Sequence, residues 1–144
     1  MLSIEKVSKE HLSSIACIEA LCFSEPWSEE SLELLLGENA TALVALMEDR
    51  VVGYVGLTYV LDEGQITNLA VHPDARRRGV GIALMRALEL LAREKNLIFL
   101  SLEVRESNVA ARALYASCGW REEGTRKNFY KLPTENAFVM TKML

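Results

Sequence analysis

The amino-acid sequence predicts an α/β fold with a mixed, mostly antiparallel central sheet and helices on both faces. Seven short segments have the composition of strands, and four segments have the apolar spacing or caps of helices. They follow the order strand, two helices, three strands, helix, strand, helix and two strands, which is typical of a mixed sheet covered by helices. The 144 residues, half of them hydrophobic, suit a single domain over residues 1–144.

The chain begins with a predicted strand and two predicted helices. Leu2–Val7 alternates apolar and polar residues, and Ser8 then caps a helix that continues to about Cys22. Pro26 interrupts this helical region because its ring cannot continue a helix. Ser28 caps a short second helix, with acidic residues in the positive first turn.

Three successive strands are predicted next, joined by short turns. Asp62–Gly64 forms the turn before the third strand. Gly53 and Gly56 lie inside the second strand, where glycine indicates a bulge or a close approach of another backbone segment. The three predicted strands are Thr41–Met47, Val51–Leu61 and Ile66–Val71.

The C-terminal part contains two helices and three strands. A long amphipathic helix ends at Asn96, and a second helix, Asn108–Ser117, ends before Gly119, a residue type suited to a helix C-terminus. The linker Asn128–Asn136 is long for a hairpin, which favours a functional role. The predicted strands here are Ile98–Val104, Trp120–Thr125 and Ala137–Lys142.

Composition argues against several classes of protein. The net charge of −4 does not suit general nucleic-acid binding, which needs a basic surface, and no apolar run is long enough to span a membrane. The three cysteines lack a CxxC or zinc spacing, and neither histidine belongs to a metal-binding cluster, so no metal site is predicted. We therefore expect a cytoplasmic protein with no direct nucleic-acid partner and no membrane partner.

The segment between the third of these strands and the long helix has the layout of a phosphate-binding site. Arg76–Gly81 is basic, contains two glycines and leads directly into a helix, whose first N–H groups lack intrahelical partners. Glycine allows a ligand to approach the backbone, and arginine donates to phosphate oxygens. The loop lacks the lysine of a P-loop, and Leu84 replaces the third glycine of a dinucleotide motif. The alternative is a basic, solvated turn before an ordinary helix.

Arg76, Gly79 and Gly81 form a basic-x-x-Gly-x-Gly pattern that resembles the pyrophosphate loop of the GNAT superfamily of N-acetyltransferases. The order of elements is similar to the GNAT fold over the whole chain. The resemblance implies a bulged strand at Asn68–Val71 that diverges from its neighbour and leaves a cleft for the pantetheine arm of acetyl-coenzyme A. It assigns cofactor contacts to Leu69, Ala70, Val71, Arg77, Arg78, Gly79, Val80, Gly81, Ile82 and Asn108.

Glu103 is a candidate general base on the predicted strand Ile98–Val104. The strand alternates, so its leucines and its last valine share one face and Glu103 lies on the other. An amine must lose a proton before it can attack a thioester, and an α-amine with a pKa of roughly 7.7–8.0 needs only a modest base. The alternative is a surface carboxylate paired with Arg105 or another cation.

Tyr115 is a candidate general acid on the helix that follows. Its hydroxyl can donate a proton to a leaving thiolate, and the alternative is a tyrosine that only packs between helix and sheet. Asn108 is either the N-cap of this helix alone or also a hydrogen-bond partner of the cofactor. Arg105 and Arg112 are interpreted as surface or ion-paired residues, with ligand contact as the alternative.

Several segments are similar to the RimI-type branch of the superfamily, whose members acetylate the N-terminal alanine of a small-subunit ribosomal protein. The resemblance implies that Glu103 is the base and Tyr115 the acid, and it places Trp27 and Tyr130 in the substrate-binding region. It therefore implies acetyl transfer from acetyl-coenzyme A to a protein N-terminus, without a metal. Phe129 departs from the tyrosine common in that branch. The matching segments are Pro26–Ser28, Asn68–Pro73, Leu102–Asn108, Leu114–Tyr115 and Gly119–Trp120.

Two other functions stay open at this level. An acetyltransferase can instead modify protein lysines or a small amine, although a lysine ammonium with a pKa of about 10.4 needs a stronger base. The second alternative is a regulatory module that binds coenzyme A without turnover.

Asp62 and Glu63 either border the entry of a cationic peptide or belong only to a turn. His72 is expected to cap the turn beside the basic loop.

Overall fold

The computed structural model describes residues 1–144, and its seven strands form one sheet. The strands are β1 (Leu2–Lys6), β2 (Ala40–Met47), β3 (Arg50–Val60), β4 (Glu63–Val71), β5 (Phe99–Arg105), β6 (Arg121–Tyr130) and β7 (Glu135–Met143). Their order across the sheet is β1-β2-β3-β4-β5-β7-β6, and every neighbouring pair is antiparallel except β4 and β5. The predicted mixed and mostly antiparallel sheet is therefore confirmed.

Four helices cover the two faces of the sheet. They are α1 (Leu12–Cys22), α2 (Glu29–Leu32), α3 (Val80–Glu94) and α4 (Val109–Ser117), with short 3-10 turns at Lys9–His11, Glu33–Leu36 and Pro73–Ala75. Helices α1 and α2 pack on one face, and α3 and α4 pack on the other. None of the helices combines the length and the apolar content that crossing a lipid bilayer requires.

Strand β2 shows why both faces are covered. Ala42, Val44 and Leu46 belong to the core beneath α1. Leu43 and Ala45 belong to the core beneath α3. Successive side chains of a strand point to opposite faces, so a continuous apolar run indicates burial on both sides. The nearly unbroken apolar sequence of this strand follows from its central position.

The turn predicted at Asp62–Gly64 is shorter than expected. Tyr59 pairs with Gly64 and Val60 pairs with Glu63, so β4 begins at Glu63. The hydrogen-bonded ladder between β3 and β4 continues to the tip of the hairpin and leaves only Leu61 and Asp62 as the connection. The predicted turn is therefore wrong for Glu63 and Gly64.

The long linker predicted at Asn128–Asn136 is largely strand. β6 continues to Tyr130 and β7 starts at Glu135, which leaves a connection of four residues, 131–134. β6 is an edge strand whose residues are exposed up to Phe129, so its sequence lacks the apolar alternation that marks a strand. The ladder is irregular between Arg126 and Tyr130, where Asn128 has a φ of 53°.

The parallel pair β4 and β5 is the point at which the sheet opens. The two strands pair only where Glu63–Gln65 lies beside Phe99–Ser101. Beyond Gln65, β4 carries a bulge, because both Thr67 and Asn68 lie opposite Gly56 of β3. A bulge bends a strand and increases its twist. The bulged, diverging strand implied by the family resemblance is therefore present, although the sequence alone does not show it.

Gly56 is required by the close approach of its neighbours. A Cβ atom at this position would lie 2.3 Å from the Thr67 Oγ1 atom and 3.1 Å from the Leu35 Cδ1 atom. At Gly53 a Cβ atom would lie 2.9 Å from the Ala70 carbonyl oxygen. Both glycines therefore meet another segment closely, as predicted, and Gly56 leaves room for the bulge that opens the cleft.

We expect the substitution Gly56→Ala to lower the free energy of unfolding by about 1–3 kcal/mol, because the added methyl group pushes against Thr67 in the bulge. Urea denaturation measures this change. Gly124→Ala is the control, because a Cβ atom there has no neighbour within 4 Å. Adding Thr67→Ala to Gly56→Ala should restore part of the loss, and equal stability of both glycine variants would contradict this explanation.

Candidate active site

A cleft of about 580 Å³ lies between β4 and β5, where the two strands diverge. It is bordered by the loop between α1 and α2, by β4 and β5, by the start of α4 and by the end of β6. Six of the predicted site residues line it together, although they come from five separate segments of the chain. They are Trp27, Leu69, Glu103, Asn108, Tyr115 and Tyr130.

Glu103 faces this cleft from the middle of β5. The alternating residues Leu102 and Val104 are buried in the core below, as the sequence predicts. The Gln65 side-chain amide donates to the two Glu103 carboxylate oxygens over 3.0 and 3.1 Å. Arg105 pairs with a different carboxylate, and Glu103 forms no ion pair. The carboxylate thus lies in the cleft without a cation to hold its charge.

Tyr115 closes the cleft from α4. Its ring is buried and packs against the Trp120 ring, with 6.0 Å between the ring centres. Its hydroxyl makes no hydrogen bond within the chain. Burial, followed by the nearby Tyr130 and Cys118, raises the pKa of Tyr115 above its ordinary value. The residue therefore packs like a core tyrosine and also presents a protonated, unpartnered hydroxyl to the cleft.

The basic loop before α3 presents unpaired backbone donors. Arg77 and Gly79 have φ angles of 65° and 77°, and the first helical hydrogen bond joins the Ala83 N–H to the Gly79 carbonyl. The N–H groups from Arg77 to Ile82 donate to no acceptor within the chain. Free N–H groups at the positive end of a helix form a site for an anion, in particular a phosphate.

Val71, at the end of β4, also offers a free N–H group. The next residue, His72, donates its N–H to the Val52 carbonyl of β3 over 2.7 Å. Because backbone groups alternate along a strand, the groups of Val71 point the other way, into the gap. Its carbonyl accepts from the Cys22 thiol and the Arg76 guanidinium, each over 3.4 Å. Its N–H group remains available to a ligand.

A buried carboxylate fixes the loop on the other side of the cleft. Glu19 of α1 is fully buried and accepts hydrogen bonds from the Tyr54 hydroxyl at 2.6 Å, the Asn68 amide at 2.8 Å and the Trp27 N–H at 2.9 Å. Burial raises the pKa of Glu19 above its ordinary value, while the three hydrogen bonds act in the opposite direction. The network joins α1, the loop that follows it, β3 and the bulge of β4.

The sequence patterns do not single out Glu19, or the Gln65 amide that donates to Glu103, as parts of the site. One signal was present, because Glu19 lies four residues after Ile15 and seven after Leu12, on the buried face of α1. A charged residue on an apolar helix face requires a polar partner. The identity of those partners depends on strands far away in the sequence.

The remaining predicted residues have simpler roles. The Asn108 side chain caps α4 by accepting from the Ala111 N–H at 3.1 Å, and the His72 ring accepts from the Asp74 N–H at 3.1 Å, as predicted. Asp62 and Glu63 lie where β4 and β5 are still paired, and they do not line the cleft. No three His, Cys, Asp or Glu side chains form a metal-binding group.

The chain is similar in sequence and in fold to known proteins. A sequence model of the acetyltransferase (GNAT) family matches residues 12–120. The ribosomal protein bS18-alanine N-acetyltransferases of Salmonella typhimurium and Escherichia coli are 37% and 34% identical to this chain, and each alignment covers 97% of it and 96% of the relative. The crystal structure of the ribosomal-protein-S18-alanine N-acetyltransferase from Escherichia coli is similar with a TM-score of 0.93 at 32% identity, covering 99% of this chain and 94% of that chain.

Replacing Glu19 by glutamine should lower the free energy of unfolding by about 1–3 kcal/mol, because the new NH₂ group must face at least one of the three donors. Chemical denaturation followed by circular dichroism tests this expectation. The control Glu94→Gln alters an exposed carboxylate on α3 and should change stability by less than about 0.5 kcal/mol. If Glu19→Gln is as stable as the wild type, the network does not hold the loop.

Proposed function

The chain belongs to the acetyltransferase (GNAT) family, and from this premise we propose that it transfers an acetyl group from acetyl-coenzyme A to the N-terminal α-amine of a protein. One observation carries the proposal: a carboxylate without a cation and a protonated tyrosine hydroxyl without a partner line the same cleft. The relatives from Salmonella typhimurium and Escherichia coli support the N-terminal alanine of a ribosomal protein as the acceptor.

The residues at the pyrophosphate end fit coenzyme A. Unpaired N–H groups from Arg77 to Ile82 would hold the pyrophosphate, and the exposed arginines of this loop would add charge-assisted hydrogen bonds. Gly81 leaves space beside α4, because a Cβ atom there would already lie 3.1 Å from the Leu114 Cδ2 atom. Leu69–Val71 and Asn108 would contact the pantetheine arm. Acetyl-coenzyme A supplies the thioester, and no metal has a role in this proposal.

Glu103 would accept the proton of the acceptor amine, directly or through a water molecule. An α-amine has a pKa of roughly 7.7–8.0, so it loses its proton to a modest base near neutral pH. The Gln65 amide holds the carboxylate at the cleft wall. The free amine then attacks the thioester carbonyl carbon, and the Val71 N–H would donate to the carbonyl oxygen as negative charge develops on it.

Tyr115 would protonate the leaving thiolate. The new C–N bond forms as the C–S bond breaks, and the Tyr115 hydroxyl gives its proton to sulfur. The ammonium has by then given one proton to Glu103, and the second proton that the nitrogen loses as the amide forms passes through water to the Tyr115 oxygen, which restores the hydroxyl. Direct transfer agrees with the surroundings of Cys22, the cysteine that lines the cleft, because its thiol contacts a carbonyl and an arginine rather than a histidine. A cysteine nucleophile is usually activated by such a base.

Trp27 and Tyr130 would contact the acceptor peptide at the open end of the cleft. The Trp27 backbone is fixed by Glu19, and Tyr130 comes from the opposite side, at the end of β6. The peptide would therefore enter between the loop after α1 and the connection between β6 and β7. A ribosomal protein as acceptor places the reaction in the cytoplasm, and no direct contact with nucleic acid or membrane is required.

Mass spectrometry of two peptides incubated with acetyl-coenzyme A tests this function. One peptide has a free N-terminal alanine and arginines but no lysine, and the other has a blocked N-terminus and internal lysines. We expect acetylation of the first peptide alone. Acetylation of the second alone would assign the enzyme to lysine side chains. Binding of coenzyme A without any product would indicate a regulatory module.

We expect Glu103→Gln to lower kcat by about 100-fold and to alter the pH–rate profile, because the amine loses its proton acceptor. Steady-state kinetics with the alanine peptide between pH 6 and about 9 measures both effects. Glu106→Gln is the matched control, since Glu106 directly follows β5 but does not line the cleft. An unchanged profile for Glu103→Gln would leave Glu103 with a structural role only.

Removal of the Tyr115 hydroxyl in Tyr115→Phe should lower kcat by about 100-fold without lowering stability, because this hydroxyl has no partner in the fold. Tyr59→Phe, which removes a hydroxyl outside the cleft, should leave kcat unchanged. The raised pKa of Tyr115 keeps the group protonated beyond about pH 10, the ordinary tyrosine value, so the wild-type rate should not fall through its ionisation below that pH. Full activity of Tyr115→Phe would exclude it as the acid.

A further inference from the structure

Arg105 joins two loops at the acceptor end of the cleft. It follows Glu103 by two residues on β5, so both side chains lie on the same face of the strand. Its guanidinium donates to the Lys131 carbonyl at 2.8 Å, the Pro133 carbonyl at 3.0 Å, the Glu135 carboxylate at 3.1 Å and the Ser24 hydroxyl at 3.3 Å. Ser24 belongs to the loop after α1. Lys131 and Pro133 lie in the connection between β6 and β7, and Glu135 is the first residue of β7.

The same guanidinium supports the Tyr130 ring. The Arg105 Cζ atom lies 4.4 Å from the centre of that ring, a distance typical of a cation–π contact. Burial, followed by the charge of Glu103, raises the pKa of Tyr130 to about 12. Tyr130 and Glu103 line the same cleft, and the Arg105 guanidinium lies against the Tyr130 ring.

Two further hydrogen bonds complete this arrangement. The Glu135 carboxylate accepts from the Ser107 N–H at 2.6 Å, and the Lys131 N–H donates to the Glu25 carboxylate at 2.9 Å. Hydrogen bonds from Ser107, and then from Arg105, hold the pKa of Glu135 below its ordinary value. Glu135 is thus ionised at neutral pH and offsets the charge of Arg105, which would otherwise repel a cationic amine entering nearby.

A second arginine offers an internal comparison. Arg112 also pairs with a carboxylate, Glu122 at 3.0 Å, donates to a carbonyl, that of Glu106 at 3.0 Å, and lies 4.4 Å from the centre of the Phe138 ring. Its chemistry is nearly the same, but it does not line the cleft and touches neither loop of the acceptor end. The two arginines therefore differ mainly in location.

We propose that Arg105 is a positioning residue that fixes residues 131–134 and the Tyr130 ring against the loop after α1, and thereby sets the affinity for the acceptor peptide. The inference rests on the proposed function in taking that acceptor to be a protein N-terminus. Arginine is required because its planar fork reaches several acceptors at once, whereas a lysine ammonium keeps the charge but loses that geometry.

Steady-state kinetics of Arg105→Lys and of its control Arg112→Lys tests the proposal. For Arg105→Lys we expect KM for the alanine peptide to rise about tenfold, with kcat and KM for acetyl-coenzyme A within about twofold of the wild type, because only ground-state contacts with the peptide are lost. Arg112→Lys should leave all three constants within about twofold. A fall in kcat with an unchanged peptide KM would overturn the proposal.

Hydrogen–deuterium exchange of the same variants tests the positioning without any assay of activity. The Ser107 N–H donates to Glu135 and the Lys131 N–H donates to Glu25, and both bonds depend on the position of the connection that Arg105 holds. These two N–H groups should exchange about tenfold faster in Arg105→Lys and at the wild-type rate in Arg112→Lys. Unchanged exchange in Arg105→Lys would overturn the proposal even if the peptide is acetylated. If the wild type acetylates no α-amine, the proposed function fails, and exchange alone decides whether Arg105 holds the loop.

Discussion

The site depends on the early end of pairing between β4 and β5. Two parallel neighbours would ordinarily satisfy each other's backbone groups, and unpaired groups within a fold are costly unless another partner takes them. Here the bulge at Thr67 and Asn68 bends β4 away after Gln65, and Gly56 leaves room for that bend. The N–H group of Val71 is then free to serve a ligand, and the irregular part of β4 borders the cleft.

Polar side chains hold the irregular segments that surround this gap. Glu19 fixes the loop after α1 from within the core, and Arg105 fixes the connection between β6 and β7 near the surface. Each is largely withdrawn from water, a situation that costs free energy unless every charge finds partners. Glu19 accepts three hydrogen bonds, and the two terminal nitrogens of Arg105 donate four. Both charged side chains thus hold loops that border the cleft.

The features predictable from the sequence are local ones. The caps at Ser28 and Asn108, the end of α4 at Gly119 and the loop at Arg76–Gly81 each depend on residues within a few positions. Most contacts that shape the cleft join residues much farther apart, for example 35 positions between Glu19 and Tyr54 and 106 positions between Glu25 and Lys131. The spacing of apolar residues along the sequence does not predict such contacts. The edge strand β6 escaped full prediction because exposure removed its apolar alternation.

The position of β7 has a consequence for the order in which the enzyme is assembled. This strand follows all the others in the chain, yet it lies between β5 and β6 in the sheet and contributes Glu135 to the acceptor end. During synthesis, the loop Arg76–Gly81 and Glu103 emerge well before it. β6 therefore gains a neighbour only after the final strand has been made, and the same holds for the end of the cleft that Glu135 helps to hold, as expected of contacts distant in sequence.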